Sequence, residues 1–198
     1  MNHARYHYQE ARAILNASID ERIGELDRHD VTFPFGDWEG WTELTLPLMK
    51  IEANIIAAAI SIHSIGDILS HVVYYSLALN RQSGAPRGRK VSIETVAMFL
   101  NGKDQYSDIH SSLKSYAKAS ELRPIARIAN HTKHHGLVES IVRVESVDGQ
   151  ARYSFEFGQF PGLQSRDREI KALLGPAYQR TSEAVVHTGI AINALLSQ

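Results

Sequence analysis

The chain of 198 residues contains no cysteine. Disulfide bonds, thiolate metal ligands and cysteine nucleophiles are therefore excluded, which leaves histidine, aspartate and glutamate as the side chains able to bind a metal ion. The chain also lacks an excess of charge of either sign, because 21 Lys and Arg residues stand against 22 Asp and Glu residues, for a formal net charge of -1. The field of the whole chain does not attract nucleic acid, so any such binding requires a local basic patch.

Long hydrophobic runs are lacking as well. The N-terminal segment MNHARYHYQEARAIL carries polar and charged residues from its second position onward and has no apolar core like that of a secretory signal. The most apolar segment, residues 53–66, offers about 14 residues without a formal charge, which is too short to span a bilayer. We therefore expect a cytoplasmic protein with no membrane segment.

Apolar residues at the three-and-four spacing of a helix predict a first helix over residues 4–28 and a second over residues 48–80. We expect Thr45 to cap the second helix, because Pro47 is tolerated in a first turn. The buried stripe of this helix is predicted at eight positions: Ile51, Ile55, Ala58, Ile62, Ile65, Leu69, Val72 and Leu79.

Two short helices are predicted over residues 92–100 and 106–119, and a third from about Ser120 to a stop at Gly136. After Gly136 the apolar residues alternate with polar ones, which is the pattern of a β-strand. Two alternating segments flank Asp148 and Gly149, a two-residue turn that predicts a β-hairpin. Its predicted pairs are Val142 with Phe155, Val144 with Tyr153, and Glu145 with Arg152.

The last predicted helix carries apolar residues and threonines from Ile170 to Leu195 and is kinked or begins again at Pro176. The elements together predict a mainly α protein, a helical bundle with one β-hairpin inserted before the C-terminal helix. We expect a single domain over residues 1–198, in which residues 1–42 form the N-terminal helix and loop and residues 43–198 form the core.

A basic segment, NRQSGAPRGRKVS, follows the second predicted helix. It contains Arg81, Arg87, Arg89 and Lys90 and no acidic residue. It lacks the glycine-lysine-serine ending of a Walker loop. Two interpretations stay open, a solvated loop and a loop that contacts phosphate groups.

The segment RPIARIANHTKHHGL, residues 123–137, predicts a two-sided helix. At about 100° per residue, four polar side chains fall within a sector of about 100°: Arg127, Asn130, His131 and His134. The apolar side chains point the other way: Leu122, Ile125, Ala126 and Ala129. Because histidine and asparagine are poor helix formers, this side is interpreted as a functional face, with a plain surface or a hydrogen-bonded interface as the alternatives.

A second polar cluster, His63, Asp67 and His71, has four-residue spacing and lies along one side of the second predicted helix. Such a ladder can bind a metal ion, orient a catalytic base or form a buried polar seam. An unpaired carboxylate is costly to bury, so Asp67 is expected to have a cation beside it, with Arg127 or a histidine of residues 123–137 in that role.

The order of a long helix containing HSIGDILSHVVYYSLALN, a helix ending in NHTKHHGLV, a hairpin and a closing helix resembles the HEPN-like superfamily of helical bundles. The resemblance covers the chain from about Glu43 onward. Arg127 and His134 are separated by six residues, as in the arginine-x(4 to 6)-histidine motif of HEPN ribonucleases. Asn130, Lys133 and His134 resemble the asparagine-x-x-lysine-histidine signature of divergent bacterial HEPN-like proteins.

The resemblance implies a homodimer in which two motif helices form one composite cleft. It implies a metal-independent RNA endonuclease of the toxin or phage-defence type, without a cofactor, in which the ribose 2′-hydroxyl attacks the adjacent phosphate. His134 would be the general acid or base, and Arg127 would stabilise charge on the phosphate. Five further residues would contact the RNA or support this pair: Asn130, His131, Lys133, Asp67 and His63.

Two alternatives stay open. The sequences HTKHHG and SIGDILSH also resemble metal-binding helices of DinB-like four-helix proteins, which would make His71, His131 and His135 a zinc or nickel site with an open position for water. The other alternative is a dimeric HEPN-like binding or regulatory module without catalysis, which has a regulatory protein as its partner.

Overall fold

The computed structural model describes residues 2–23, 41–134, 136, 140–147, 150–157 and 170–197. Within these ranges the protein is mainly helical, as the sequence predicts. The helices are α1 (Asn2–Ile23), α2 (Trp41–Ser76), α3 (Ile93–Leu100), α4 (Ser107–Ala117), α5 (Leu122–His134) and α6 (Ile170–Leu196), and the strands are β1 (Ser140–Val147) and β2 (Gln150–Phe157).

The start of α2 corrects the predicted cap. The helix begins at Trp41, four residues before Thr45, so Thr45 is not its N-cap. Pro47 lies inside α2, in its second turn, where its ring removes one backbone hydrogen bond but leaves the helix continuous. The predicted end of the first helix, beyond Ile23, lies outside the described residues.

The apolar stripe of α2 is confirmed at six positions, where the side chains are buried: Ile51, Ile55, Ala58, Ile62, Ile65 and Leu69. Val72 was wrongly placed on this stripe, because it is 47% exposed while Val73 is fully buried. Leu79 is fully buried but lies beyond α2, since the chain turns at Ala78, whose φ of 49° is left-handed, into a short 3₁₀ turn, Leu79–Arg81.

The chain forms two compact units. One contains Ile62–Arg123 and Pro176–Gln198, and the other contains Asn2–Ser61 and Pro124–Gly175. The core of the first unit combines apolar side chains from the end of α2, from α3, from α4 and from α6, among them Val73, Leu100, Leu113 and Ile192. The core residues of the second unit include Ala11, Ile55, Ile125 and Ile128.

Helix α3 begins with a capping box, which the sequence predicts only as a helix start near Ser92. The Ser92 hydroxyl accepts a hydrogen bond from the backbone N–H of Thr95, and the Thr95 hydroxyl accepts one from the N–H of Ser92. Two of the unpaired N–H groups at the start of α3 are satisfied in this way. Val91 and Ile93, which flank Ser92, are buried in the core of the first unit.

The predicted hairpin is present. Strand β1 pairs antiparallel with β2, and three of its pairs are those predicted from the sequence: Val142 with Phe155, Val144 with Tyr153, and Glu145 with Arg152. The predicted turn residues, Asp148 and Gly149, lie outside the described residues. Gly136, the predicted helix stop, has a φ of 113°, a conformation that glycine adopts without strain.

One segment of the described chain, Met49–Ser76 in α2, is long and apolar enough to cross a bilayer by length and composition. This finding corrects the expectation that no segment reaches that length, which counted only the run without charges. The core helix of a soluble protein has the same properties, and α2 buries one side while Asp67, Ile68, His71 and Tyr75 are exposed on the other. The helix therefore fits a soluble protein.

Candidate functional site

Helix α5 positions most of the residues that the sequence predicts for the site. Pro124 lies in its first turn, where a missing N–H costs no intrahelical bond. The helix ends at His134, just before the left-handed Gly136. Its apolar side is fixed in the interior, because Ile125, Ile128 and Ala129 are at most 1% exposed. Burial of these side chains determines which side of α5 faces outward.

The other side of α5 presents the predicted polar residues. Arg127, Asn130, Lys133 and His134 are exposed, and His131 is half-buried. Arg127 and His134 are seven positions apart, which is close to two helical turns and about 10 Å along the axis. The structure therefore places five of the predicted site residues on one helix and leaves Arg127 and His134 exposed.

The charge on α5 is of one sign. The helix has no acidic residue, and its last turn carries His131, Lys133 and His134. Cationic groups at this end interact favourably with the partial negative charge of the last carbonyl groups. The Thr132 hydroxyl donates to the carbonyl oxygen of Ile128 at 2.9 Å, within the same helix. The end of α5 is thus a basic surface, which suits a phosphate-bearing ligand.

The predicted ladder on α2 differs from expectation in its burial. His63 is half-buried, whereas Asp67 and His71 are exposed. The imidazole Nδ1 of His71 lies 2.8 Å from the backbone carbonyl oxygen of Asp67, which holds the ring along the helix. Because Asp67 is exposed, the cost of burying an unpaired carboxylate gives no reason for a neighbouring cation. Its pairing with Arg127 stays a prediction.

The alternative metal site is only partly described. Among the described residues, no group of three or more histidine, aspartate or glutamate side chains could hold a metal ion. His71 and His131 lie within the described ranges, and His135 lies outside them. The set of His71, His131 and His135 therefore stays a prediction.

One titratable group was missed by the sequence reasoning. Tyr116 on α4 is buried, and burial raises the pKa of its phenol, while a hydrogen bond with Thr181 opposes the shift and the negative charge of Asp67 adds to it. Gly66 on α2 makes room for the tyrosine ring. No local sequence pattern signals this contact, because its partners lie on three different helices.

Comparison of the chain with protein-family models, curated proteins and solved structures finds no match in any of the three. The resemblance to the HEPN-like superfamily therefore rests on the motif residues of α5 and on the order of the elements.

Proposed function

We propose that the protein is a HEPN-like RNA endonuclease that needs no metal ion, with Arg127 and His134 at the centre of its site. The observation that carries the proposal is the two-sided character of α5. Ile125, Ile128 and Ala129 are buried, whereas Arg127 and His134 are exposed on the opposite side. Apolar packing thus fixes the backbone while the groups suited to phosphate chemistry stay accessible.

The residue types match the steps of RNA cleavage through the 2′-hydroxyl. The ring nitrogens of an imidazole can accept and donate protons, so His134 can take the proton of the attacking 2′-hydroxyl or give one to the departing 5′-oxygen. The Arg127 guanidinium offers fixed, parallel N–H donors to the oxygens of the phosphate as its charge increases. Asn130 and Lys133 are exposed on the same helix and bind the neighbouring backbone, with His131 in a supporting role.

The proposal includes a cytoplasmic homodimer with a regulatory protein partner. Arg127 and His134 lie about 10 Å apart along α5, more than the width of one phosphate group. In a composite cleft, one copy contributes the arginine and its partner the histidine, so both side chains can contact the same phosphate group. Exposed apolar side chains on α2, Ile68 at 60% and Tyr75 at 63%, offer surface for association. Light scattering at several protein concentrations measures the oligomeric state.

The experiment is cleavage of a mixed RNA substrate in excess chelator by the parent, Arg127→Ala and His134→Ala. Arg12→Ala on α1 and His187→Ala on α6 are matched controls, since both side chains are exposed and lie outside α5. We expect cleavage by the parent and both controls and a loss of about 100-fold or more in each α5 variant. Equal loss in the controls would contradict the assigned roles.

If the parent does not cleave RNA, the two alternatives remain to be separated. Metal bound to the purified protein at one equivalent or more, and lost in His131→Ala, would favour the DinB-like site of His71, His131 and His135. Absence of both cleavage and metal would favour a regulatory module.

A further inference from the structure

A cationic loop, residues 81–90, follows α2 and is not used in the proposed reaction. Arg81, Arg87, Arg89 and Lys90 are all exposed, and the loop contains no acidic residue. In the part of the chain that the structure describes, no ion pair joins any of these four side chains to a carboxylate. Four positive charges are thus concentrated in ten residues of a chain whose formal net charge is -1.

The backbone of the cationic loop is anchored at both ends. Leu79 and Val91, which flank it, are buried in the core of the first unit. In the middle, the Tyr74 hydroxyl donates to the carbonyl oxygen of Pro86 at 2.7 Å. At the far end, the Thr95 hydroxyl donates to the carbonyl oxygen of Lys90 at 2.5 Å. The backbone is therefore held while the charged side chains project outward.

One carboxylate and one further cation lie beside the loop. The nearest carboxylate in sequence, Glu94, accepts a hydrogen bond from the Ser92 hydroxyl at 2.9 Å. A fifth cation approaches the loop, because Lys103 donates to the side-chain oxygen of Gln82 at 3.4 Å. The same ammonium lies 3.4 Å from the centre of the Phe99 ring, an attractive cation–π contact.

We propose that the cationic loop binds the phosphate backbone of RNA. Concentrated positive charge that is not paired within the protein is the electrostatic feature of nucleic-acid binding. A loop already anchored by Leu79, Tyr74 and Thr95 loses little conformational entropy when it binds. Phosphate contacts confer affinity without base specificity. The choice of RNA among polyanions rests on the proposed function, whereas the recognition of phosphate rests on the loop.

The test is fluorescence anisotropy of a labelled 2′-O-methyl oligouridine, in chelator, at several salt concentrations. The loop variant is Arg81→Gln/Arg87→Gln/Arg89→Gln/Lys90→Gln. The control variant, Arg5→Gln/Arg12→Gln/Lys114→Gln/Lys118→Gln, removes the same charge from exposed positions elsewhere. Each lost phosphate contact reduces the magnitude of the slope of log binding constant against log salt concentration by about 0.7 for a single strand. The slope of the loop variant should therefore be smaller in magnitude than that of the parent by about 2 to 3.

The parent should also lose about 50-fold in affinity over a fourfold rise in salt through these contacts, while the control variant keeps the parent slope. Equal slopes in the parent and the loop variant, equal loss in the control, or no RNA binding by the parent would overturn the proposal. Binding of the loop to anionic phospholipid vesicles but not to RNA would also overturn it.

This experiment distinguishes loop binding from cleavage. A 2′-O-methyl RNA has no free 2′-hydroxyl and cannot be cut by the proposed reaction. Loss of binding in the loop variant therefore supports the cationic loop even if the parent cleaves no natural RNA. Conversely, full binding by the loop variant rejects the loop proposal and leaves the roles of Arg127 and His134 to the cleavage experiment.

Discussion

Gly66 on α2 lies against the ring of Tyr116 on α4. A Cβ atom added at residue 66 would lie 3.1 Å from Cε1 and 3.3 Å from the hydroxyl oxygen of Tyr116, closer than an ordinary van der Waals contact. The ring has little room to move away, because Tyr116 is 7% exposed and its hydroxyl is hydrogen-bonded to Thr181. A glycine is therefore required within α2 at a position where its helix propensity is poor.

We expect Gly66→Ala to lower the free energy of unfolding by about 1–2 kcal/mol, because the cost of overpacking exceeds the gain in helix propensity. Gly189→Ala on α6 is the matched control, since an added Cβ there has no neighbour within 4 Å. The control should raise the free energy of unfolding by up to about 1 kcal/mol. Urea unfolding measures both, and an equal gain in the two variants would show that Tyr116 moves freely.

Tyr116 should make stability depend on pH in the alkaline range. Burial raises its pKa, so the folded protein retains this proton at a pH where the unfolded chain has lost it. Stability is then unaffected below the ordinary phenol pKa of about 10 and falls as the pH rises above that value toward the folded pKa. We expect a steeper decline in the parent than in Tyr116→Phe between pH 9 and 11. Parallel curves would contradict this assignment.

A hydrogen bond links α4 and α6. The Ser112 hydroxyl oxygen lies 2.9 Å from that of Thr188, which is fully buried. We expect Ser112→Ala and Thr188→Val to be destabilising singly and the double variant to cost less than their sum, with a coupling of about 0.5–1.5 kcal/mol. A double-mutant cycle in urea measures the coupling. Simple additivity would mean that the pair adds nothing to stability.

Local patterns were sufficient to predict the hairpin and most of the helices. The pairing of Val142 with Phe155 follows from a side-chain period of two and a two-residue turn, which together fix the register. The buried stripe of α2 was predicted correctly up to Leu69. The prediction for Val72 was wrong, because the buried side chain in this turn is that of Val73. Leu79 was included because it is apolar, although the chain has already left the helix at Ala78. The residue at which a helix ends depends on tertiary packing, which the periodicity of the apolar residues does not reveal.

The two sides of α5 should respond differently to truncation. Ile128 is fully buried and Lys133 is exposed on the same helix. Ile128→Ala should lower the free energy of unfolding by about 2–5 kcal/mol, whereas Lys133→Ala should change it by less than about 0.5 kcal/mol. Similar values for the two variants would contradict the described orientation of α5.

The exposure of the candidate site residues could be predicted only where the apolar and polar sides of a single helix determine which side chains are buried. Arg127 and Asn130 share a side of α5 opposite Ile125, as the angular spacing predicts. For Asp67 the spacing identified neighbours one turn away but gave no information on burial, and the side chain proved to be exposed. Whether a polar residue in an apolar helix faces solvent depends on the packing partners of that helix, which lie far away in sequence.

The proposed reaction requires a free 2′-hydroxyl on the substrate and a planar pair of N–H donors on the protein. The 2′-oxygen forms a bond to phosphorus as the bond to the 5′-oxygen breaks, so one product ends in a 2′,3′-cyclic phosphate and the other in a 5′-hydroxyl. A DNA strand of the same sequence should therefore resist cleavage. Arg127→Lys keeps the charge but loses the planar pair of donors, so we expect cleavage to fall by about tenfold or more, while Arg12→Lys on α1 has no effect.

Mass spectrometry identifies the ends of the products, and initial rates on RNA and DNA in chelator give the cleavage activity. Together they test both requirements. Cleavage of DNA at a comparable rate would rule out the 2′-hydroxyl as nucleophile, whatever the effect of Arg127→Lys. Full activity in Arg127→Lys, with cyclic phosphate still formed, would keep the nucleophile and reduce the role of Arg127 to that of a point charge. The substrate and the side chain thus test separate parts of the mechanism, because the nucleophile belongs to the RNA and the charge stabilisation to α5.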